Sequence, residues 1–300
     1  MKPDVFPPSA LARDTPPDLA SYGWRLLAEG DSWFSLTATG AYSSNLVHAL
    51  RLPRSAAVIN CAAPGHTLQR MVDRRADGTC ERLLCAPQLA YAWDAVLLSA
   101  GGNDLIAAAA TPLADAAGQA TPAARRLLRT IEEVGHASHA RDWISEPGWQ
   151  LLADHLQQHF AAYARWRDSG PSAARPLLLH TYATPVARPS GAGLALQGWL
   201  YPVLLRYGVP AAWQQAVTEL LFERLRALLL AFDEDSGTAQ ATSGVHVFDS
   251  AGQVALVPAS PNDAGASGDW INEIHLGPAG YAKMGDAWGT WIGAVMARYP

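Results

Sequence analysis

The chain has 300 residues, of which 49% are hydrophobic and 16% are charged, so it can bury a sizeable core and lacks the composition of a disordered protein. Its formal net charge is −5, and only two of its 22 basic residues are lysines. A nucleic-acid-binding surface needs clustered positive charge. Because the arginines here are scattered, DNA or RNA is not the expected partner.

The first 21 residues are rich in proline, serine and alanine, which predicts an extended lead-in that is partly ordered at best. They contain no apolar run of the secretory-signal type, so we expect a cytoplasmic location. The longest apolar stretches, such as 225–232, are too short to span a bilayer. The chain has an odd number of cysteines, Cys61, Cys80 and Cys85, which favours reduced thiols. No cysteine–histidine spacing is typical of a zinc site.

Five short apolar runs predict buried strands, and each one ends near turn-forming residues. They are 24–28, 56–60, 94–99, 176–182 and 245–249. Segments with apolar residues at helical spacing lie between and after these strands. They are 42–50, 122–134, 149–167, 211–232 and 278–299. Short apolar strands that alternate with helices indicate an α/β fold with a parallel sheet covered on both faces.

Residues 22–300 read as a single domain, within which residues 183–210 are a possible lid or insertion. This segment is rich in proline and glycine and is expected to run over the sheet edge as a lid or substrate wall. Tyr182, Trp199 and Tyr201 could stack on a sugar or an acyl chain, although packing in the core or lid is the favoured interpretation.

Four polar clusters occur where predicted strands end or directly before the last predicted helix. They are Gly-Asp-Ser at 30–32, Gly65, Gly-Gly-Asn-Asp at 101–104 and Asn-Glu-Ile-His at 272–275. Each cluster alone is typical of a turn or a helix cap. In an open parallel sheet, however, ligands bind beyond the carboxyl ends of the strands, so their order and location together favour a functional site.

These clusters resemble the blocks of the SGNH, or GDSL-like, hydrolases, and they occur in the same order. Residues 30–32 match the nucleophile block, although Trp33 stands where the family name has leucine. Gly65 suits the second block, and residues 101–104 match the Gly-x-Asn-Asp block. His275 matches the histidine of the last block. The resemblance spans about residues 22 to 298.

The resemblance implies a three-layer α/β/α sandwich with about five parallel strands in a flavodoxin-like order. It also implies cleavage of carboxylic esters without a metal ion or an organic cofactor. In this reading Ser32 attacks the substrate carbonyl and His275 takes its proton. The oxyanion then meets the backbone N–H groups of Ser32 and Gly65 and the side-chain amide of Asn103.

The block that contains the histidine departs from the family pattern, which is Asp-x-x-His. Asn272 stands where that pattern has aspartate. We expect Asn272 or a backbone carbonyl to orient the ring of His275, because an amide oxygen can accept a hydrogen bond from a ring N–H. Asp269, six residues before the histidine, is the alternative. Glu273 is expected to point elsewhere.

The sequence therefore predicts an esterase that acts on a small ester through a serine acyl-enzyme. Two other functions stay open: an acyltransferase with the same site residues, and a catalytically silent binding module on the same fold. An α/β-hydrolase is disfavoured, because Phe34 occupies the last position of a would-be Gly-x-Ser-x-Gly motif.

Overall fold

A computed structural model of the chain describes residues 1–35, 44–76, 78–192 and 197–299. Its centre is a six-stranded sheet in which every pair of neighbouring strands is parallel. The strands are β1 (Asp4–Phe6), β2 (Trp24–Gly30), β3 (Ala56–Asn60), β4 (Ala95–Ser99), β5 (Leu177–His180) and β6 (Val245–Phe248). Their spatial order is β1-β3-β2-β4-β5-β6.

The five predicted strands are all present, and without β1 their order is the flavodoxin-like one. The sheet has a sixth strand because β1, inside the predicted lead-in, pairs with β3 from Asp4 opposite Ala57 to Phe6 opposite Ile59. Three residues between prolines are too few to show the periodicity by which a strand is recognised in a sequence. The start of the chain thus supplies an edge strand.

Helices flank this sheet. They are α1 (Ser32–Ser35), α2 (Leu46–Ala49), α3 (Leu68–Val72), α4 (Thr79–Cys85), α5 (Gly102–Ala109), α6 (Ile131–Val134), α7 (Glu146–Asp168), α8 (Tyr201–Arg206), α9 (Ala211–Ala231), α10 (Ser250–Gln253) and α11 (Pro278–Met296). Short 3-10 helices occupy Pro8–Ala12, Leu19–Ser21, Ala123–Arg125 and Ala140–Trp143. Helix α7 packs with α3, α4 and α5, whereas α11 packs with α2 and α10. The predicted fold class, α/β with a parallel sheet between helices, is confirmed.

Three of the predicted helices, α7, α9 and α11, form within a few residues of their expected bounds. The predicted helix over 122–134 is wrong, because the segment forms only a 3-10 turn and the four-residue α6. Between them, Leu128 makes an antiparallel bridge with Ile144, and Thr130 begins α6 through a capping box. Of the predicted helix 42–50, residues 42 and 43 lie outside the described residues, and the rest contains α2.

The centre of the sheet is fully buried, with the side chains of β2 and β4 at its middle. Leu26, Leu27, Val96 and Leu97 have no exposed surface. Within the described ranges no helix combines the length and hydropathy needed to cross a membrane. The three cysteines are free thiols, as the sequence indicated.

Candidate active site

The predicted site residues lie at the carboxyl edge of the sheet. Ser32 is the first residue of α1 and is separated from β2 only by Asp31, and Gly65 lies in the loop after β3. Asn103 is in the first turn of α5, directly after β4, and His275 lies just before α11. The parallel sheet thus brings together residues that are spread over most of the chain.

Ser32 and His275 are in direct contact, although 243 positions separate them in the sequence. The Nε2 atom of His275 lies 2.7 Å from the Oγ atom of Ser32, and both side chains are buried. This is the distance at which a base can remove the proton of a nucleophile. Burial lowers the pKa of His275 to about 4, so its imidazole is neutral near pH 7 and free to accept that proton.

Asn272 holds the other side of the imidazole. Its Oδ1 atom lies 3.1 Å from Nδ1 of His275 and accepts the backbone N–H groups of Ile274 and His275 at 3.1 and 2.8 Å. These two backbone donors identify this atom as the amide oxygen, which can only accept. The Nδ1 atom therefore carries the ring hydrogen, and Nε2 presents its lone pair to Ser32.

The two nearby carboxylates bond elsewhere. Asp269 accepts the backbone N–H of Val257 at 2.6 Å and pairs with the ammonium of Lys283 at 2.6 Å. Glu273 is buried and accepts backbone N–H groups from four residues of the segment between β5 and α9. They are Arg188, Trp199, Leu200 and Tyr201.

Asn103, one of the candidate oxyanion donors, lies at the same small cleft as Ser32. The Nδ2 atom of Asn103 donates one hydrogen to the carbonyl of His66 at 3.0 Å, and an amide nitrogen carries a second hydrogen. Gly65 has a φ of +77°, which L-residues with side chains rarely adopt. A Cβ atom placed on Gly65 would have no neighbour within 4 Å among the described residues, so the backbone conformation, not crowding, favours glycine there.

A small cleft opens beside Ser32 and Asn103. Apolar side chains form most of its wall: Trp33, Ile106, Ala183, Pro185, Phe222 and Ile274. Trp199 stands edge-on to the ring of His275, with the ring centres 5.3 Å apart. Residues 183–210, the predicted lid or substrate wall, thus contribute to this region through Ala183, Pro185 and Trp199, and residues 193–196 lie outside the described part.

A polar cluster that the sequence analysis missed lies beneath Ser32. The carboxylate of Asp31 accepts hydrogen bonds from Tyr182 Oη at 2.6 Å, the backbone of Trp33 at 2.9 Å and Ser99 Oγ at 3.0 Å. Burial raises the pKa of Asp31 to about 6, and these hydrogen bonds oppose the rise. The available signal was the position of Asp31, Ser99 and Tyr182 at three adjacent strand ends.

Two groups of potential metal ligands occur in the described ranges, and neither contains Ser32 or His275. One consists of the buried residues Glu29, Cys61 and Cys80. The other lies nearer the surface and consists of Asp233, Asp235 and His246. The side chains that contact or line the cleft with Ser32 include the neutral imidazole of His275 and the amide of Asn103.

No protein-family model matches the sequence, and no curated protein matches it. Among solved structures, the chain is similar to phospholipase A1 from Streptomyces albidoflavus, with 15% identity, a TM-score of 0.43, and 92% of this chain and 99% of that chain covered. It is also similar to the extracellular lipase from Streptomyces rimosus, with 14% identity, a TM-score of 0.44, and 93% of this chain and 100% of that chain covered. A third similar structure is the native aryl esterase of M. smegmatis, with 14% identity, a TM-score of 0.45, and 91% of this chain and 100% of that chain covered. With identities this low, the reaction of this chain has to be argued from its own site.

Proposed function

We propose that this chain is a serine hydrolase of the SGNH type that cleaves a small carboxylic ester through an acyl-enzyme. The observation that supports it most is the 2.7 Å contact between Ser32 Oγ and the unprotonated Nε2 atom of His275, next to the amide of Asn103. A nucleophile, its base and a donor for the oxyanion are the three groups that ester cleavage needs.

In the first half of the reaction, Ser32 Oγ attacks the carbonyl carbon while His275 Nε2 takes the hydroxyl proton. The negative charge that forms on the carbonyl oxygen meets the second N–H of Asn103 and the backbone N–H groups of Ser32 and Gly65. When the tetrahedral intermediate collapses, His275 returns the proton to the departing alkoxide, and the alcohol leaves.

In the second half, a water molecule takes the place of the alcohol. His275 removes one of its protons as the oxygen attacks the acyl carbon. The new tetrahedral intermediate expels Ser32 Oγ, which regains the proton from His275, and the carboxylic acid leaves. These steps use residues of this chain alone, and no metal or organic cofactor is proposed. A cytoplasmic location remains a prediction from the sequence.

The proposal is tested with p-nitrophenyl esters of increasing acyl length and with a fluorophosphonate probe. We expect wild-type turnover and a covalent adduct on Ser32, whereas Ser32→Ala loses turnover by about a thousandfold or more and takes up no probe. Ser35→Ala is the matched control, because Ser35 is in the same short helix and its hydroxyl bonds to the backbone carbonyl of Asp31.

Two results would contradict the proposal. One is a Ser32→Ala variant that keeps more than a tenth of wild-type activity, and the other is an adduct on a different residue. Turnover that appears only when an alcohol acceptor is added would identify an acyltransferase. A folded wild-type chain that neither turns over esters nor reacts with the probe would identify a silent binding module.

A further inference from the structure

The buried polar cluster beneath Ser32 takes no part in the steps above, yet it joins the parts of the site. It consists of Asp31, Ser99, His180 and Tyr182, all buried. The Oγ atom of Ser99 lies 3.0 Å from Nε2 of His180 and 3.2 Å from Oη of Tyr182, and it donates to Asp31 at 3.0 Å. The cluster thereby connects the carboxyl ends of β2, β4 and β5.

Tyr182 touches both sides of the proposed site. A Cβ atom added to Gly102 would lie 2.9 Å from Cε1 of Tyr182, so the ring packs directly on the backbone that precedes Asn103. The indole of Trp33, the residue after Ser32, stands edge-on to the same ring with centres 5.2 Å apart. One side chain therefore sets the spacing between the nucleophile loop and the start of α5.

The hydrogen bonds of the cluster require a particular charge on Asp31. Tyr182, Ser99 and the backbone of Trp33 all donate to its carboxylate, and an ionised carboxylate can accept all three. A protonated Asp31 becomes a donor itself and has to give up at least one of these bonds. The arrangement thus belongs to the ionised form.

We propose that Tyr182, through the ionised carboxylate of Asp31, is a positioning residue that keeps Ser32 and Asn103 aligned on the same substrate carbonyl. This inference rests on the proposed esterase function. Tyr182 and Asp31 line the cleft beside Ser32, but in this scheme neither forms a bond or transfers a proton, so neither is a catalytic residue. Their effect is on the alignment of groups that do, and small misplacements of such groups are costly to the rate.

The proposal predicts that the ionisation of Asp31 controls the acid limb of the pH profile of kcat. The pKa of Asp31 is about 6, raised by burial and by the charge of Asp104, whereas the pKa of His275 is about 4. Burial lowers the pKa of His180, which contacts Ser99, to about 4 and raises that of Tyr281, so both stay neutral near pH 6. The pKa of Tyr182 itself is raised well above its usual value, so it keeps its donor hydrogen.

The test compares Tyr182→Phe with wild type on p-nitrophenyl acetate from pH 4.5 to 8. We expect kcat to fall between about tenfold and a hundredfold with KM little changed, because the loss is one of alignment. We also expect the acid limb of kcat to move to higher pH, because the hydrogen bond from Tyr182 lowers the pKa of Asp31. A role in packing alone would not move this limb.

Tyr207→Phe is the matched control, because it removes another buried phenol hydroxyl, which bonds to the carbonyl of Thr111 away from the site. It should leave kcat and the pH profile unchanged. Asp31→Asn is the second variant, in which the acid limb near pH 6 should disappear. If wild type turns over esters and Tyr182→Phe has the same kcat and the same acid limb, this inference is overturned and the proposed function is not. A wild type that does not turn over esters overturns the proposed function as well.

Discussion

The base of the proposed site works without a carboxylate partner. In a Ser–His–Asp arrangement the aspartate both orients the imidazole and stabilises the imidazolium that forms in the transition state. Here Asn272 supplies the first effect through its Oδ1 atom, 3.1 Å from Nδ1 of His275, but brings no negative charge. Burial then keeps the pKa of His275 low, and the imidazolium costs more free energy to form. Such a base suits esters, whose alkoxide leaving groups need less assistance than amines do.

Asn272→Asp tests this account. We expect the new carboxylate to keep the hydrogen bonds of the amide oxygen and to raise the pKa of His275, so that kcat for p-nitrophenyl acetate at pH 8 is unchanged or higher. The comparison variant is Asp269→Asn, which should change kcat less than tenfold because Asp269 bonds to Val257 and Lys283. A hundredfold loss in Asp269→Asn, with the circular dichroism spectrum preserved, would show that Asp269 is the acid of the site.

The pairing of Ser32 with His275 was expected from the resemblance to the SGNH hydrolases, whose ordered blocks place one residue after a strand and the other before the last helix. For the group that orients His275 the sequence left Asn272, a backbone carbonyl and Asp269 open, and in the structure Asn272 Oδ1 is the atom that contacts Nδ1 of His275. The sequence did not predict the link between Asp31 and Tyr182, which are 151 positions apart. A tyrosine after a strand has the same local pattern whether it packs in the core or donates to a buried carboxylate, so no periodicity separates the two.

At the scale of elements, Glu273 ties the segment before α9 to the loop that carries His275. Its buried carboxylate accepts the backbone N–H groups at the start of α8, including those of Leu200 and Tyr201 at 2.9 and 2.8 Å. The residue before them, Trp199, stands edge-on to His275. Burial raises the pKa of Glu273, and the backbone donors oppose that rise. The contact thus ties Trp199, which packs on the ring of His275, to the loop that carries His275.

Glu273→Gln should weaken the attachment of Trp199 and the start of α8 to the loop that carries His275. The amide has one oxygen instead of two and turns an N–H group toward backbone donors, so we expect the free energy of unfolding to fall by about 2 kcal/mol. Because Trp199 loses its support, KM should rise more than kcat falls. Urea denaturation and ester kinetics measure the two effects. Glu219→Gln, an exposed carboxylate on α9, is the control and should change neither. An unchanged KM in Glu273→Gln would show that Trp199 does not bound the substrate.

Element length decided which elements could be predicted. The helices α7, α9 and α11 have 23, 21 and 19 residues, and over such lengths the apolar spacing is unambiguous. In 122–134 a similar spacing arises from buried loop residues. There Leu127 and Leu128 are buried, while Arg126 bonds to the carbonyls of Thr121 and Leu128. Tertiary contacts of that kind outweigh helix propensity and leave no local signal.

At the scale of the whole molecule, the stability of the fold is coupled to the charge of its buried groups. His180 and His275 are neutral in the folded chain, with pKa values of about 4 against a usual 6.5. Their contributions to stability are therefore complete above pH 6.5 and are lost as the pH falls through 4. The contribution of Asp31 to stability changes with pH in the opposite direction, because its folded pKa of about 6 lies above the usual 3.8. The cost of ionising it is present above pH 6 and is relieved as the pH falls toward 3.8.

These shifts correspond to about 3 kcal/mol for each of the three groups. His180 and His275 lose stability in acid and Asp31 regains it, so these three groups together contribute a net loss of about 3 kcal/mol between pH 7 and 4. Urea denaturation at several pH values should show this decrease in wild type. In Asp31→Asn the compensating contribution is absent, so we expect a steeper loss of stability in acid than in wild type. Because one amide oxygen cannot replace both carboxylate oxygens as acceptors, we also expect a lower free energy of unfolding at pH 7. An Asp31→Asn variant whose stability falls with pH at the wild-type slope would show that ionising Asp31 costs no free energy in the folded chain.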